Sequence, residues 1–270
     1  MDQTFDTVDE KIAEIEFFLR KMSEDSIKPF ELNCFLSAYL SAARTATLGL
    51  QQFKHLPGFD AWYKPHSDRL KQNAIAKFFL KTRNDHIHGG PYPVSGFSSY
   101  QGKRNYYFTR SDDTKPWKPK DVVSACFDYF LLLLEIVYDC YVQLGIQIDP
   151  QQYYTKEHFA IMGWDIEQAE CEIHGWVCTS LIEEGFDEDD RWHELRAHVG
   201  KCKINHLFYS YLEKVTPQPT EPEHFQDFKY TPDEKGWIHT PAGFESIEAD
   251  LSRKTQSPSG GATARPIIIE

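Results

Sequence analysis

Residues 120–144, KDVVSACFDYFLLLLEIVYDCYVQL, decide the fold of this chain. Apolar side chains almost encircle a helix drawn through this stretch, which is typical of a helix at the centre of a bundle. Its most apolar run, Phe130–Val137, is interrupted by Glu135 and is far shorter than the about 20 apolar residues that span a bilayer. The sequence therefore predicts a long central helix over about these residues, which Gly145 and Pro150 end.

Two further helices are predicted before this stretch, near the N-terminus. Thr7 and Glu10 have the spacing of a capping box, in which two side chains bond the backbone at the start of a helix. Pro29 suits the first turn of the second helix, because the N–H that proline lacks is unpaired there anyway. Apolar residues recur at helical spacing in both segments. In the first they are Val8, Ile12, Ile15, Leu19 and Met22, and in the second Leu32, Leu36, Leu40 and Leu48.

A third helical stretch is predicted after the break at Pro57–Gly58, and it runs to about His88. Residues 89–91, Gly-Gly-Pro, end it, because glycine commonly follows a helix and proline cannot continue one. Residues 89–118 are rich in Gly, Ser, Pro and Tyr. Within them, Lys103–Arg110 fits either a strand of a small hairpin or a loop.

The rest of the chain is predicted to hold short helices and then an extended segment. The helices lie at about residues 155–162, 165–175, 188–199 and 202–213. Pro, Glu and Gly are abundant after Thr216, and residues 252–270 have the composition of a disordered tail. The predicted fold class is all-α, a helical bundle with a smaller helical appendage. The predicted domains are the bundle over residues 5–148, the appendage over 149–215, and the extended segment and tail over 216–270.

The net charge of −12 hides an uneven distribution of charge along the chain. Residues 51–120 carry thirteen Lys and Arg against five Asp and Glu, a balance of +8. The remaining residues carry sixteen against thirty-six, a balance of −20. A local basic surface that binds phosphate is therefore compatible with an acidic chain. The alternative is that acidic segments and a solvated basic loop have separated by chance.

The six cysteines favour a reducing compartment. They form no Cys-x-x-Cys pair, and several lie among apolar residues, which suits buried free thiols. The first ten residues, MDQTFDTVDE, are acidic and do not resemble a signal peptide. We therefore expect a cytoplasmic protein with no membrane partner.

Residues 81–90, KTRNDHIHGG, carry the side chains best suited to chemistry. The guanidinium of Arg83 could hold a phosphate through two hydrogen bonds, and it stays charged at any relevant pH. His88 could exchange a proton near neutral pH as a 2′-hydroxyl attacks the adjacent phosphorus. Asn84 could orient the phosphate or the imidazole. These three residues predict RNA cleavage without a metal ion, and the alternative is a structural Arg–Asn–His network at a helix end.

The segment resembles the signature of the HEPN superfamily (higher eukaryotes and prokaryotes nucleotide-binding domains). Arg83, Asn84 and His88 match its Arg, its following polar residue and its His as they stand. The resemblance covers roughly residues 5–148 and implies a helical bundle that is often dimeric. It also implies a cleft at the dimer interface, with one motif from each subunit. Many members are toxins or defence ribonucleases, whereas others bind nucleotides or have lost activity.

Arg83 and His88 would not face one pocket on a straight helix, because residues five apart point about 140° apart. Unwinding at Gly89–Gly90, or the pairing of motifs from two subunits, would bring them together. His86 is three residues from Arg83 and is the better partner on an ideal helix. The stripe of Arg83 contains Ala76, Leu80 and Ile87, and that of His88 contains Lys77, Lys81 and Asn84.

Further residues are predicted to help bind RNA. Arg44 interrupts the leucine row of the second helix, where a charge needs a partner or a phosphate, so we expect it in the same cleft as Arg83. The alternative for Arg44 is a structural salt bridge, or a side chain that extends to solvent. Aromatic residues 106–108 could stack bases or pack on the bundle. The weaker predicted RNA contacts are Lys77, Lys81 and Arg104.

No metal and no cofactor are predicted. Structural zinc sites have tight ligand pairs, and the Cys and His residues of the C-terminal half are irregularly spaced. They are Cys171, His174, Cys178, Cys202 and His206. Acidic residues 187–190 precede a predicted helix and are typical of a cap rather than a cation site. The sequence contains no Walker loop, no GxGxxG and no GxSxG motif.

Two functions follow as hypotheses. The first is a metal-independent endoribonuclease of HEPN type, a homodimeric toxin or defence effector with RNA as substrate and an antitoxin or regulatory protein as a further partner. The second is a non-catalytic helical module that binds a nucleotide or a protein partner at the same cleft.

Overall fold

The computed structural model describes residues 5–87, 93–100, 103–108, 121–219, 237–240 and 243–246. These residues form twelve α-helices, a short 3-10 helix and two antiparallel hairpins. The prediction of a mostly helical protein is confirmed. Within the described ranges, no helix combines the length and the apolar character needed to cross a lipid bilayer.

The predicted central helix, α5, spans Val122–Gln143. The side chain of Asp121 accepts a hydrogen bond from the backbone N–H of Ser124 and so fixes the first turn. Twelve of its residues are buried, on nearly every face, as the sequence indicates. Helix α5 is therefore the element against which the rest of the bundle packs.

The two N-terminal helices, α1 (Asp6–Met22) and α2 (Pro29–Gly49), pack along each other and on α5. Pro29 begins α2, as predicted. The capping box predicted at Thr7 and Glu10 is wrong, because α1 already begins at Asp6 and no side chain caps it. Phe5, the residue before α1, is buried instead, and its ring lies 5.1 Å from the rings of Phe53 and Tyr141. This packing fixes the start of the helix.

The third helical stretch consists of two helices, α3 (Phe59–Gln72) and α4 (Ala74–Ile87). A short 3-10 helix over Leu50–Phe53 precedes them. The sequence predicts one continuous helix here, and Asn73 breaks it. The Asn73 side-chain oxygen accepts hydrogen bonds of 2.9 and 3.1 Å from the backbone N–H groups of Ile75 and Ala76, so it caps α4.

The segment that fits a strand or a loop is a strand. Strand β1 (Val94–Tyr100) pairs antiparallel with β2 (Lys103–Phe108). The hydroxyl of Tyr106 donates a 2.7 Å hydrogen bond to the carbonyl of Ile27, and the ring of Phe108 packs at 4.8 Å from that of Phe78. Tyr106 and Phe108 therefore pack on the bundle, and Tyr107 is exposed.

Short elements follow α5. The bounds of the helices are α6 Gly145–Ile148, α7 Pro150–Tyr153, α8 Lys156–Ile161, α9 Ile166–His174, α10 Thr179–Glu183, α11 Glu188–Ala197 and α12 Asn205–Leu212. Four of them match predicted helices, whereas α6, α7 and α10 are short additions. Strands β3 (Trp237–Thr240) and β4 (Gly243–Ser246) form a hairpin that the sequence does not predict. The predicted tail over residues 252–270 lies outside the described residues.

The chain divides into two compact units. The first unit comprises residues 1–158 and 199–219, and the second comprises 159–198 and 220–270. Helix α12 belongs to the first because Phe208 is fully buried, with its ring 5.3 Å from Tyr138 and 5.8 Å from Tyr141 on α5. The sequence around α12 contains no local pattern that indicates this packing on α5.

All six cysteines are free thiols, and they differ in how deeply they are buried. Cys126, Cys140 and Cys202 are buried, and burial raises the pKa of each thiol, that of Cys202 to about 12. Cys34 and Cys171 are exposed, and Cys178 is half-buried.

Candidate functional site

Arg83 lies on α4, whose position is fixed by aromatic side chains. The ring of Phe79 is buried and stacks on that of Tyr129 of α5 at 4.8 Å, with an angle of 5° between the ring planes. One turn later, Arg83 is half-buried, and its Nη1 donates a 3.2 Å hydrogen bond to Oδ1 of Asn84. Its Nε is buried and has no hydrogen-bond partner among the described residues. The guanidinium therefore has an unused donor.

A cleft of about 360 Å³ opens beside Arg83, between residues of four helices. Helix α4 packs against α2, α3 and α5, so side chains of all three helices reach the cleft. The lining residues are Leu40, Ala43, Arg44 and Thr47 of α2, Gln51 of the 3-10 helix, Tyr63, Ser67, Leu70 and Lys71 of α3, Ala76, Lys77, Phe79, Leu80 and Arg83 of α4, and Tyr129 of α5.

The lining of this cleft contains four cationic residues and no Asp or Glu among the described residues. Arg44, Lys77 and Arg83 form no ion pair within the described part of the chain, and Lys71 has only a loose contact of 3.9 Å with Asp68. Elsewhere on the same helices the cations are paired at short range. Lys81 binds Asp85 at 3.0 Å and Arg69 binds Glu135 at 2.6 Å. The uncompensated charge of the cleft favours an anionic ligand.

Arg44 lies in the same cleft as Arg83, on the row of α2 that carries Leu40. Burial raises the pKa of Tyr129 to about 12, and the positive charge of Arg44 acts in the opposite direction. Arg44 and Tyr129 both line the cleft. The salt bridge that the sequence allows for Arg44 is absent among the residues that the structure describes.

The two histidine candidates cannot be placed in the same way, because His88 lies outside the described residues. His86 belongs to the last turn of α4, and its side chain also lies outside the described part. About three turns of α4 precede it and carry Lys77 and Arg83 into one cleft, although the two residues belong to different predicted stripes.

The remaining candidates lie outside the cleft lining. Asn84 accepts from Arg83 and so restrains the guanidinium rather than facing the cleft. Lys81 is paired with Asp85 on the surface of α4. Arg104 donates a 3.2 Å hydrogen bond from Nη1 to the carbonyl of Ile27. Of the three weaker RNA contacts that the sequence predicts, only Lys77 lines the cleft.

The sequence does not single out the residues that α3 contributes. Tyr63, Ser67 and Lys71 follow one another every four residues, a spacing that could have indicated a common face. The direction of that face depends on the break at Asn73, which turns α3 against α4. If α3 and α4 formed one continuous helix, the residues of α3 could not face those of α4.

No group of three His, Cys, Asp or Glu side chains in the described ranges is arranged to hold a metal ion. Comparison of the chain with protein-family models, with curated proteins and with solved structures gives no match. The case for a function therefore depends on the cleft itself.

Proposed function

We propose that this chain binds RNA at the cleft beside Arg83 and cleaves it without a metal ion, as an endoribonuclease of HEPN type. One observation carries the proposal: Arg44 and Arg83 line one cleft with two lysines and no carboxylate among the described residues. An arginine fork fits a phosphate through two hydrogen bonds, and two such forks suit a phosphodiester whose charge grows during reaction.

The unused donor of Arg83 supports a role in binding charge. A buried N–H without a partner costs free energy, and a phosphate oxygen would recover it once the Arg83 side chain shifts so that Nε reaches the cleft. Asn84 restrains the same guanidinium through its bond to Nη1. The side chain is thus partly oriented before a ligand arrives, which lowers the entropic cost of binding.

In the proposed reaction, His88 removes the proton from a ribose 2′-hydroxyl, and the 2′-oxygen attacks the adjacent phosphorus. The P–O5′ bond breaks, and the leaving 5′-oxygen takes a proton from the imidazolium of His88, which returns to its neutral form. Arg83 and Arg44 stabilise the negative charge on the phosphoryl oxygens. The products are a 2′,3′-cyclic phosphate and a 5′-hydroxyl, and no metal ion is consumed or required.

The resemblance further suggests a homodimer in which the motifs of two subunits meet, and a toxin or defence effector held in check by a partner protein. A straight α4 would direct His88 away from the Arg83 of the same subunit. In a homodimer, the second subunit would supply the His88 that meets this Arg83. Both features are part of the proposal.

The test is cleavage of a labelled RNA by the purified full chain in the presence of a chelator. We expect ends with a cyclic phosphate, and a loss of about 100-fold or more in rate for Arg83→Ala and for His88→Ala. The matched control is Lys81→Ala, which removes a cation from the same helix but outside the cleft, and it should change the rate less than about threefold. Cleavage that survives His88→Ala unchanged would remove this motif from the mechanism.

A second candidate function is a non-catalytic module that binds a nucleotide. The observation that favours it is the size of the cleft, about 360 Å³, which lies in the range of sites for single small molecules. Calorimetry with mononucleotides distinguishes the two. Binding that Arg83→Ala abolishes, without cleavage of any RNA and without toxicity on expression in bacteria, favours the binding module.

A further inference from the structure

Residues 159–198 of the second unit have a small core of their own. Phe159 and Trp192 are buried with their rings 5.2 Å apart. Arg191 donates two hydrogen bonds to the carboxylate of Glu170, at 2.9 and 2.7 Å, and both residues are buried. Helices α9 and α11 are thereby joined, so the surface that they carry has a firm support.

A groove of about 510 Å³ runs along the exposed side of α9 in this unit. It is lined by Trp164, Glu167, Gln168, Cys171, Glu172 and Val177. Trp164 is 47% exposed, so its aromatic ring is open to a ligand in the groove. An exposed tryptophan in a concave site is typical of a protein–protein contact.

The position of Trp164 is set by its neighbours. Its backbone N–H donates to the carbonyl of Phe159 at 2.9 Å, and its ring lies 6.0 Å from the Phe159 ring. The next residue, Asp165, begins α9 with a capping box that includes Gln168. The tryptophan and the two glutamates of the groove are therefore held on one short, well-capped element.

The charge of this unit is of one sign at its described surface. Residues 159–198 contain eleven Asp and Glu against two Arg, a balance of −9, and they contain no lysine. Both arginines are buried, Arg191 at 7% and Arg196 at 5% exposure. Residues 159–198 therefore contain no exposed Lys or Arg. The field along the groove attracts cations and repels nucleic acid.

We propose that this groove binds a basic peptide segment of a partner protein, an interaction separate from RNA binding at the cleft. A Lys or Arg side chain of the peptide lies over the indole of Trp164 and pairs with Glu167, while the charge of Glu172 adds to the attraction. An adjacent apolar residue of the peptide contacts Val177. The combination of an aromatic face and two carboxylates selects cationic side chains, and the uniform charge around the groove guides their approach.

The experiment is fluorescence anisotropy with the full chain and a short fluorescein-labelled peptide composed of Arg, Lys and Leu. We expect binding that weakens as salt is raised, and about tenfold or greater loss of affinity for the double variant Glu167→Gln with Glu172→Gln. Trp164→Ala should cause a loss of similar size at unchanged charge. An unchanged affinity for RNA in these variants would show that the two sites are independent.

Matched controls decide whether the groove is specific. The double variant Glu183→Gln with Glu184→Gln removes the same charge from exposed positions outside the groove, and Trp176→Ala removes another exposed indole. Both controls should keep the affinity within about twofold. Equal losses in control and groove variants would mean non-specific attraction and would overturn the proposal, as would the absence of peptide binding at low salt.

Discussion

At the scale of single residues, the guanidinium of Arg83 differs from a simple positive charge. It has one donor committed to Asn84 and another, Nε, buried without a partner among the described residues. A lysine at this position would keep the charge but could offer neither a planar fork nor a donor at the position of Nε.

We therefore predict that Arg83→Lys lowers the affinity for RNA about tenfold, although the net charge is unchanged. Anisotropy with a labelled, non-cleavable RNA measures the effect. The converse substitution Lys81→Arg, outside the cleft, should leave the affinity within about twofold. Equal affinities for the wild-type chain and Arg83→Lys would show that charge alone matters in the cleft.

Asp9 is a buried acid with a different role. It accepts a 2.8 Å hydrogen bond from the hydroxyl of Tyr141 and a 2.9 Å bond from the backbone N–H of Lys203, while its Oδ1 is buried without a partner in the described part of the chain. Burial is the largest cause that raises its pKa from 3.8 to about 6, and the nearby charges of Asp6 and Asp149 act in the same direction. The folded protein thus binds the proton of Asp9 more tightly than the unfolded chain.

We predict that the contribution of Asp9 to the free energy of unfolding falls as the pH rises between about 4 and 6 and is constant above that range. Asp9→Asn should remove this dependence and stabilise the fold by about 1–3 kcal/mol at neutral pH, because the amide keeps an acceptor without a charge. Urea unfolding across this pH range measures the difference between the two chains. Parallel curves for both would contradict the prediction.

At the scale of elements, the turn at Asn73 determines the shape of the cleft. Helix α3 ends there and α4 begins, so residues of both helices line one cleft. The cap consists of two hydrogen bonds from a single side chain.

We predict that Asn73→Ala lowers the free energy of unfolding by about 1 kcal/mol and weakens RNA binding, whereas Asn73→Asp retains both properties. Thermal unfolding and anisotropy measure the two effects. If Asn73→Ala changes stability but leaves RNA affinity intact, the orientation of α3 does not matter for the site.

The sequence predicts an element well when neighbouring residues determine it, and poorly when packing against distant residues determines it. Helix α5 is predictable because its apolar residues are contiguous, and α2 because Pro29 marks its start. The break at Asn73 is not, because the surrounding residues contain neither Gly nor Pro and keep a helical spacing. Helix α12 is predictable as a helix, but its place in the bundle depends on packing of Phe208 against residues more than sixty positions earlier.

The same distinction applies to the candidate site. Arg44 can be singled out because it is a charge on an apolar stripe, and Arg83 because of its spacing from Asn84 and His88, and both signals are local. Tyr63, Ser67 and Lys71 carry no such signal, and only the turn between α3 and α4 brings them to the cleft. The relation of His88 to Arg83, on which the proposed chemistry depends, lies outside the described residues.

At the scale of the whole molecule, a chain of net charge −12 is proposed to bind RNA through a local concentration of cations. Binding of this kind releases counterions from the nucleic acid, so its strength depends on salt according to the number of phosphates contacted. Net charge has little influence on that number, whereas each cation of the cleft that contacts a phosphate contributes to it.

We predict that the logarithm of the RNA affinity falls linearly with the logarithm of salt concentration, and that Lys77→Ala reduces the slope by about 1. A salt titration by anisotropy measures both slopes. The control Lys81→Ala, whose ammonium group is paired with Asp85, should leave the slope unchanged. An identical slope after Lys77→Ala would place that lysine outside the phosphate path.

The unequal burial of the thiols offers a practical handle on the acidic groove. Cys171 is exposed and lines it, and Cys34 is the other exposed cysteine, whereas the pKa values of the three buried thiols are raised. Maleimide reagents attack the thiolate, so the buried cysteines react slowly. After Cys34→Ser and Cys178→Ser, a dye attached at Cys171 would stand beside Trp164 and report, through its own emission, whatever enters there.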